Sequence, residues 1–531
     1  MARTYNLADL FEIVAGAVPE RKAFVCGDKQ LSFAELNIRA NQLGNALRAK
    51  GIKRGDNVGI QLYNSAEYLE TFFACMKIGA VPVNINYRYV AHELNYLYTT
   101  LEMKGLVYGA DFEAEVQKAL ATAPNVQLPV QVGGASNAYE ALLATGEKEL
   151  SDPERSENDH YILCTGGTTG MPKGVVWTHK AVFMAALGGG GIAFRQGPIQ
   201  APEQLGMMVP HGPELRVFAV APMMHGAAMW STLIYLFGGF GIVVNDEQAF
   251  NPEHIWDIVV RDRVNIMSIV GDAMAQPLIA ALEKNPGRWN LQAMVSCGSG
   301  GAALSEQLQK RLKPFLPPHA VIFNGIGSSE TGIVGNGEKP VDGNGMIVIA
   351  ARPDLAILGD DGQFKTQAGD EGQLIRTGYT PIGYYNDPKK SAETFVTIAD
   401  RVWVLSGDRA RITEDGSYVM MGRGSQCINT GGEKVFAEEV EEIARHYEAV
   451  EDVLVVGLPD ERWGNKVVAV VEVAAGQTFD LGDFNEILRG KLSGYKVPKA
   501  VYLTEKVKRS PAGKADYPWA KKFAAESQPA A

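Results

Sequence analysis

The chain has 531 residues, 46% of them hydrophobic and 21% charged, with a formal net charge of −11 at pH 7. That length exceeds what one hydrophobic core supports and implies two or more domains, in the ordinary composition of a soluble globular protein. The acidic balance argues against a general nucleic-acid or anionic-membrane binder, and no run approaches the roughly 18 apolar residues of a membrane span.

The first ten residues, Met1 to Leu10, lack the apolar core of a secretory signal. Cys26, Cys75, Cys164, Cys297 and Cys427 are scattered and form no C-x-x-C pair. Such usage reads as reduced thiols in a cytoplasmic protein, not as a disulfide or zinc framework. Leu31 to Lys50 has helical apolar spacing, with Ser32 placed to cap it and Glu35 three residues on. Val58–Leu62 and Val81–Ile85 are short β-branched runs that predict buried strands.

Tyr161 to Cys164 predicts a strand feeding Thr165-Gly-Gly-Thr-Thr-Gly-Met-Pro-Lys-Gly174. Glycines let backbone N–H groups approach phosphate oxygens, and the hydroxyls and Lys173 add charge-assisted donors. This is not a Walker A loop, in which Lys follows Gly directly, because Met171 and Pro172 intervene. Gly188 to Glu214 reads as an ordered but mobile insertion. Phe240–Val244, Ile266–Val270, Met294–Ser296 and Val321–Asn324 continue the strand pattern between helical segments. The alternation predicts layered α/β architecture with largely parallel sheets.

Gly325-Ile-Gly-Ser-Ser-Glu-Thr-Gly332 follows the last of these strands. It sets a carboxylate among hydroxyls and glycines, which suits a magnesium–polyphosphate. Asp408, in a Ser-Gly-Asp turn, can accept from vicinal hydroxyls such as those of a ribose. A strand over Tyr418–Met421 leads to Gly422-Arg423-Gly424-Ser425, the expected domain boundary. Beyond Gly431-Gly432, apolar residues at Phe436, Val440, Ile443, Ala444 and Tyr447 make one helical stripe. Val453–Leu458 and Val467–Val473 then complete a small α+β domain. Ser510-Pro-Ala-Gly-Lys514 presents one lysine on a constrained loop, and the tail after Phe523 is expected to be disordered.

These elements, in this order, resemble the adenylate-forming superfamily of acyl-CoA synthetases, peptide-synthetase adenylation domains and luciferases. Within it the chain is most similar to actinobacterial fatty-acyl and steroid side-chain carboxylate CoA ligases. That finer likeness rests on Tyr87-Arg88-Tyr89-Val90, Pro222-Met223-Met224-His225-Gly226, Gly271-Asp272-Ala273-Met274, Gly422-Arg423-Gly424-Ser425 and Asn429-Thr430-Gly431-Gly432-Glu433-Lys434-Val435, with Gly494-Tyr495-Lys496-Val497-Pro498. The resemblance implies a large N-terminal domain of layered α/β sheets (residues 1–422) and a small C-terminal α+β lid (423–531) joined by a hinge.

It also implies residue roles. Thr165, Gly166, Gly167, Thr168, Thr169, Gly170 and Lys173 would hold ATP phosphates. Glu330, with Thr168, would bind Mg²⁺, and Ser329 would sit by the α-phosphate. Gly301, Ala302 and Ala303 would line the adenine and acyl pocket. Asp408 and Arg423 would hold the ribose side of the nucleotide. His225 would lie against the acyl pocket, Gly431 and Gly432 along the pantetheine tunnel of coenzyme A, and Lys514 would bridge carboxylate and α-phosphate. The implied activity is ATP-dependent, AMP-forming acyl-CoA synthesis by a cytoplasmic enzyme; dimers are common among such enzymes. Alternatives are a non-catalytic acyl-adenylate binder, a luciferase-like or a peptide-synthetase-like adenylating enzyme. Methionines 207, 208, 223, 224, 229, 267 and 274 are read either as flanking a bulky apolar acyl pocket or as core filler. The chain departs from the family pattern at Ile326, usually aromatic, at Ser329, usually Thr, and at Ser425, often Asp or Lys.

Overall fold

The computed structural model describes residues 3–151, 154–165, 172–337, 346–423, 426–430, 433–460, 464–492, 494–509 and 514–530. Among these, two mixed sheets dominate. In the larger, strands Val321–Ser328, Ser296–Gly300, Ile266–Ile269, Arg216–Ala219, Gly241–Val243 and Lys22–Cys26 run parallel, in that spatial order. Antiparallel strands Gly332–Gly337 and Lys29–Ser32 close its edges. In the other, His160–Thr165, Val81–Asn84, Asn57–Gln61, Gly105–Gly109 and Leu128–Val132 are parallel, with Lys173–Thr178 antiparallel beside the first. Helices cover these sheets, so the strands are buried on both faces and read as continuous apolar runs.

The expected helix after Leu31 spans Phe33–Ala49, and its capping box is complete. Ser32 accepts from the Glu35 N–H, while the Glu35 carboxylate accepts from the Ser32 N–H. One expected strand is displaced. Met294–Ser296 precedes the true strand Ser296–Gly300, whose Gly-Ser-Gly content hides it from propensity. A Cβ on Gly298 would lie 2.5 Å from the Phe323 ring, so neighbour packing demands glycine there. The Gly188–Glu214 segment folds as short 3₁₀ turns and the helix Gln204–Met208, with Gly189 and Gly190 buried.

A third, antiparallel sheet (residues 348–423) carries Arg401–Ile412 against Tyr418–Arg423. The C-terminal part has its own core. Val435, Val440, Ile443, Val453, Val467, Val471, Phe484 and Leu488 pack between the helices Ala437–Ala444 and Leu481–Lys491 and the sheet Val450–Asp460, Gly464–Val473, Ala500–Thr504. Fully burying a side chain of this kind is worth about 1.5–3 kcal/mol. The tail corrects an expectation: helix Tyr517–Glu526 buries Ala520 and Ala524, and the Ala530 N–H donates to Val501 O at 2.7 Å. The helix's apolar face and that backbone bond hold a segment whose small and polar residues suggest disorder.

Candidate active site

Ligands of open α/β sheets bind beyond the C-terminal ends of the parallel strands. Thr165 closes one strand and Lys173 opens the next; the two are register partners, so the ends of the Gly/Thr loop are held together. Gly166, Gly167, Thr168, Thr169 and Gly170 lie outside the described residues. Lys173 Nζ reaches Asp387 Oδ2 at 2.7 Å and lies 5.6 Å from the Tyr384 ring centroid. The ammonium holds the Asp387 carboxyl below its usual range. Asp387 also caps helix Pro388–Thr394.

Facing the lysine is the turn that joins Val321–Ser328 to Gly332–Gly337. Ser328 and Thr331 bond each other's backbone and hydroxyls at 3.0–3.1 Å. Buried Trp177, on the Lys173 strand, donates to Ser329 O at 3.0 Å. Tyr384 OH donates to Glu330 Oε1 at 3.0 Å, and burial followed by the Glu330 charge pushes that phenol well up. Arg376, buried, donates to Thr331 O, to Ile333 O at 2.8 Å and to Ala185 O at 3.2 Å. Burial holds its guanidinium down to about 10. Gly327 is obligatory: a Cβ there would lie 2.1 Å from Gly332 O. Ile326, at the position where the family usually carries an aromatic ring, packs against the cluster that holds Val334, Ile349 and Leu355.

The opposite wall is built from small residues. Gly301 follows strand Ser296–Gly300 with φ +86°, and its Cβ position would be 3.5 Å from Ala227 Cβ. Ser299 Oγ donates to Ala302 O and accepts from the Gly271 N–H. Ala302 and Met274 pack on the cluster Ala221, Ala228 and Val270. Of the seven methionines, Met274 packs both on this cluster and on the second core. Met223 and Met229 fill the main core and Met267 a second core, while Met207 is 63% exposed because it sits on the short helix over the N-terminal segment.

His225 N-caps helix Gly226–Phe237, and its Nε2 is buried without a hydrogen-bond partner. Burial, with the Lys514 and Arg88 charges, holds the imidazole down to about 4. Lys514, exposed at the far end of the sequence, therefore stands within electrostatic reach of His225. Asn64 and Asn84 fix the loop before His225: Asn64 accepts from Met223 N–H at 2.7 Å, while Asn84 donates to Met224 O and to Cys164 O. Burial pushes the Cys164 thiol up to about 12, away from thiolate character.

Asp408 and Arg423 are register partners on adjacent strands, and Ser406 Oγ donates to Asp408 Oδ2 at 2.9 Å. The Arg423 side chain, Ser425, Gly431 and Gly432 lie outside the described residues. The structure thus links Lys173 through Tyr384 to Glu330, ties Ser329 to the Lys173 strand through Trp177, and sets Thr165 in register with Lys173, while the Lys514 charge is felt at His225. Tyr384, Asp387, Trp177, Arg376, Asn64 and Asn84 were not singled out from sequence; only a tyrosine near a strand end hinted at the first.

Among the described residues no group of three or more His, Cys, Asp and Glu could cage a metal. A single oriented carboxylate beside a phosphate-type loop instead suits Mg²⁺, which takes one or two carboxylates and completes its shell with phosphate oxygens and water. The chemistry of Glu330 and its surroundings fits that ion.

The sequence profile described as "AMP-binding enzyme" matches residues 11–385, and "AMP-binding enzyme C-terminal domain" matches residues 439–514. A 3-oxocholest-4-en-26-oate–CoA ligase of Rhodococcus rhodochrous is 39% identical over 97% of this chain and 95% of its own length. A medium/long-chain-fatty-acid–CoA/3-oxocholest-4-en-26-oate–CoA ligase of Mycobacterium tuberculosis is 38% identical over 100% and 98%. Among solved structures, the anthranilate CoA ligase AuaEII in complex with anthranoyl-AMP superposes with a TM-score of 0.84 over 99% of both chains at 23% identity.

Proposed function

Because this chain belongs to the AMP-binding enzyme family and is an AMP-forming acid–thiol ligase, we propose that its acid is apolar: a steroid side-chain carboxylate or a medium- or long-chain fatty acid. A carboxylate is a poor acyl donor because oxide is a poor leaving group. In the first step a carboxylate oxygen attacks the α-phosphorus of ATP and pyrophosphate leaves, giving acyl-AMP. In the second the sulfur of CoA attacks the acyl carbonyl, the thiol proton is lost, and AMP leaves.

Both anions of the first step need positive charge where negative charge grows. Lys173 and the Gly/Thr loop are assigned to the β- and γ-phosphates, Ser329 to the α-phosphate side, and Lys514 to the reacting carboxylate and α-phosphate. Glu330 and Thr168 would hold Mg²⁺, which when bound supplies charge neutralisation of the phosphates. Asp408 and Arg423 are assigned to the ribose, Gly301, Ala302 and Ala303 to the adenine and acyl pocket, and Gly431 and Gly432 to the pantetheine path. The observation that carries the reading is the 38–39% identity, over nearly the whole of both chains, to ligases named for steroid side-chain and medium/long-chain fatty acids.

The boundary between lid and large domain is placed at residues 422–423, supported by a C-terminal core that draws its members from Ile428 onward. A cytoplasmic enzyme is supported by the free thiols of Cys26, Cys75, Cys164 and Cys297; among the described residues no helix is long and apolar enough to cross a membrane. A homodimer is proposed only because dimers are common in the superfamily that the chain resembles.

The test is AMP release by purified protein with Mg-ATP and CoA, across acetate, octanoate, palmitate, benzoate and a steroid side-chain acid. Preference for the steroid or longer fatty acids is expected. Preference for acetate or benzoate would overturn the apolar-acid reading, and ATP binding without turnover of any acid would favour a non-catalytic adenylate binder.

A further inference from the structure

Arg445 follows helix Ala437–Ala444 of the C-terminal part and lies against the large domain. Its guanidinium sits among four carboxylates: Asp272 at 3.6 Å, Glu442 at 3.5 Å, and Glu441 and Asp452 at 3.8 Å each. Only Asp272 belongs to the large domain. Its other oxygen accepts from the Ser305 N–H at 2.8 Å, so it is fixed where helices Gly271–Lys284 and Glu306–Leu312 begin. One residue earlier, Gly271 lies against the small-residue wall: a Cβ on it would be 2.7 Å from Ala302 Cβ. Glu306 adds two more links across the seam, through its N–H to Glu442 at 3.3 Å and its carboxylate to His446 at 3.4 Å.

From Arg445 the connection continues inward. Asp452 is also gripped by Arg509 through two contacts of 2.7 Å. Arg509 pairs with Ala515 in a β-bridge, and that bridge brackets Lys514. An unbroken path of charged groups therefore runs from Asp272, beside the acyl and adenine wall, through Arg445, Asp452 and Arg509 to the base of the lysine loop.

The distances along it differ in kind. Inside the small domain the Arg509–Asp452 pair has full hydrogen-bond geometry. Across the seam the pairs lie at 3.3–3.6 Å, and Arg445 Nε has no hydrogen-bond partner. Charge compensation at such separations is real in a buried site, yet it lacks the short directional bonds that make a contact permanent. A seam of this kind holds one orientation and can part without breaking strong hydrogen bonds.

We infer that Arg445 is a positioning residue: through Asp272 on one side and Asp452–Arg509 on the other, it sets the small domain in the orientation that brings Lys514 to the adenylation site. The inference rests on the role assigned to Lys514 above.

The test measures both half-reactions in Arg445→Met, Arg445→Lys and Asp272→Asn, with thermal unfolding as the folding control. A misplacement of about 1 Å costs roughly a hundredfold in a positioned reaction. Acyl-adenylate formation is accordingly expected to fall roughly ten- to a hundredfold in Arg445→Met, through kcat rather than the KM for ATP. Thioester formation from supplied acyl-AMP and CoA should stay within about twofold. Asp272→Asn keeps the Ser305 bond and should reproduce the split; Arg445→Lys should restore part of the rate. The double variant should be no worse than the worse single one. Equal losses in both half-reactions, or none, overturns the inference. If instead wild type forms no acyl-AMP while binding ATP, the functional reading fails first.

Discussion

The turn that carries Glu330 and the seam around Arg445 are both dense in charge, and they are built in opposite ways. The turn is closed by short, directional bonds: Trp177 to Ser329 O at 3.0 Å, Tyr384 to Glu330 at 3.0 Å, and Arg376 to three backbone carbonyls. The seam is joined over longer gaps: Arg445 to Asp272 at 3.6 Å, and Glu306 to Glu442 at 3.3 Å and to His446 at 3.4 Å. The first arrangement preorganises a carboxylate so that no reorganisation is needed as charge develops. The second holds two domains together while leaving them separable. The chain spends its strong hydrogen bonds where a group must not move.

The comparison can be broken on its rigid side. Gly327→Ala puts a Cβ 2.1 Å from Gly332 O and must force the two strands apart. Acyl-dependent ATP–pyrophosphate exchange should fall by about a hundredfold or more, because Glu330 and Ser329 move together. Retained exchange would show that the turn is more tolerant than its packing implies. A gentler version is Tyr384→Phe, which deletes the bond to Glu330 Oε1 along with the hydroxyl's contact to Thr394. Removing a partner that orients a metal ligand typically costs 10–100-fold, so Mg²⁺ affinity in the presence of ATP should drop by about tenfold, read by calorimetry as well as by exchange rate. An unchanged Mg²⁺ affinity would remove Tyr384 from the site.

The smallest expected effect concerns stability and sharpens what fixed means here. His179 is buried, accepts from the Leu7 N–H at 3.2 Å and faces His160 O at 3.3 Å. Burial holds its imidazole down to about 3. The unfolded chain takes up that proton near pH 6.5 and the folded chain does not, so stability is lost as pH falls from about 6.5 toward 3. In urea titrations at pH 7.5 and 5, His179→Gln should be slightly less stable at the higher pH and lose less on acidification. An equal loss in both proteins would mean that other groups carry the acid sensitivity.

Local chemistry was legible in the sequence. The Ser32/Glu35 capping box, the Gly/Thr loop and the Ser-Ser-Glu turn are each written within a few consecutive residues, and the fold class follows from alternating periodicities. What was not legible is what distant segments do to one another. Tyr384 meets Glu330 from 54 positions away, Trp177 meets Ser329 across 152, and Arg376 reaches Ala185 across 191. Strand Ser296–Gly300 was missed for the same reason, because its glycine answers to the Phe323 ring. Methionine content alone could not separate core filler from pocket wall; only Met274 meets the small-residue cluster.

The most direct test of the account is Lys514→Ala measured in the two half-reactions separately. The account predicts that acyl-adenylate formation falls by about 10²–10³, the usual worth of one electrostatic stabiliser, while CoA thioester formation from supplied acyl-AMP persists near the wild-type rate. Equal loss in both, or full adenylation without the lysine, would contradict it.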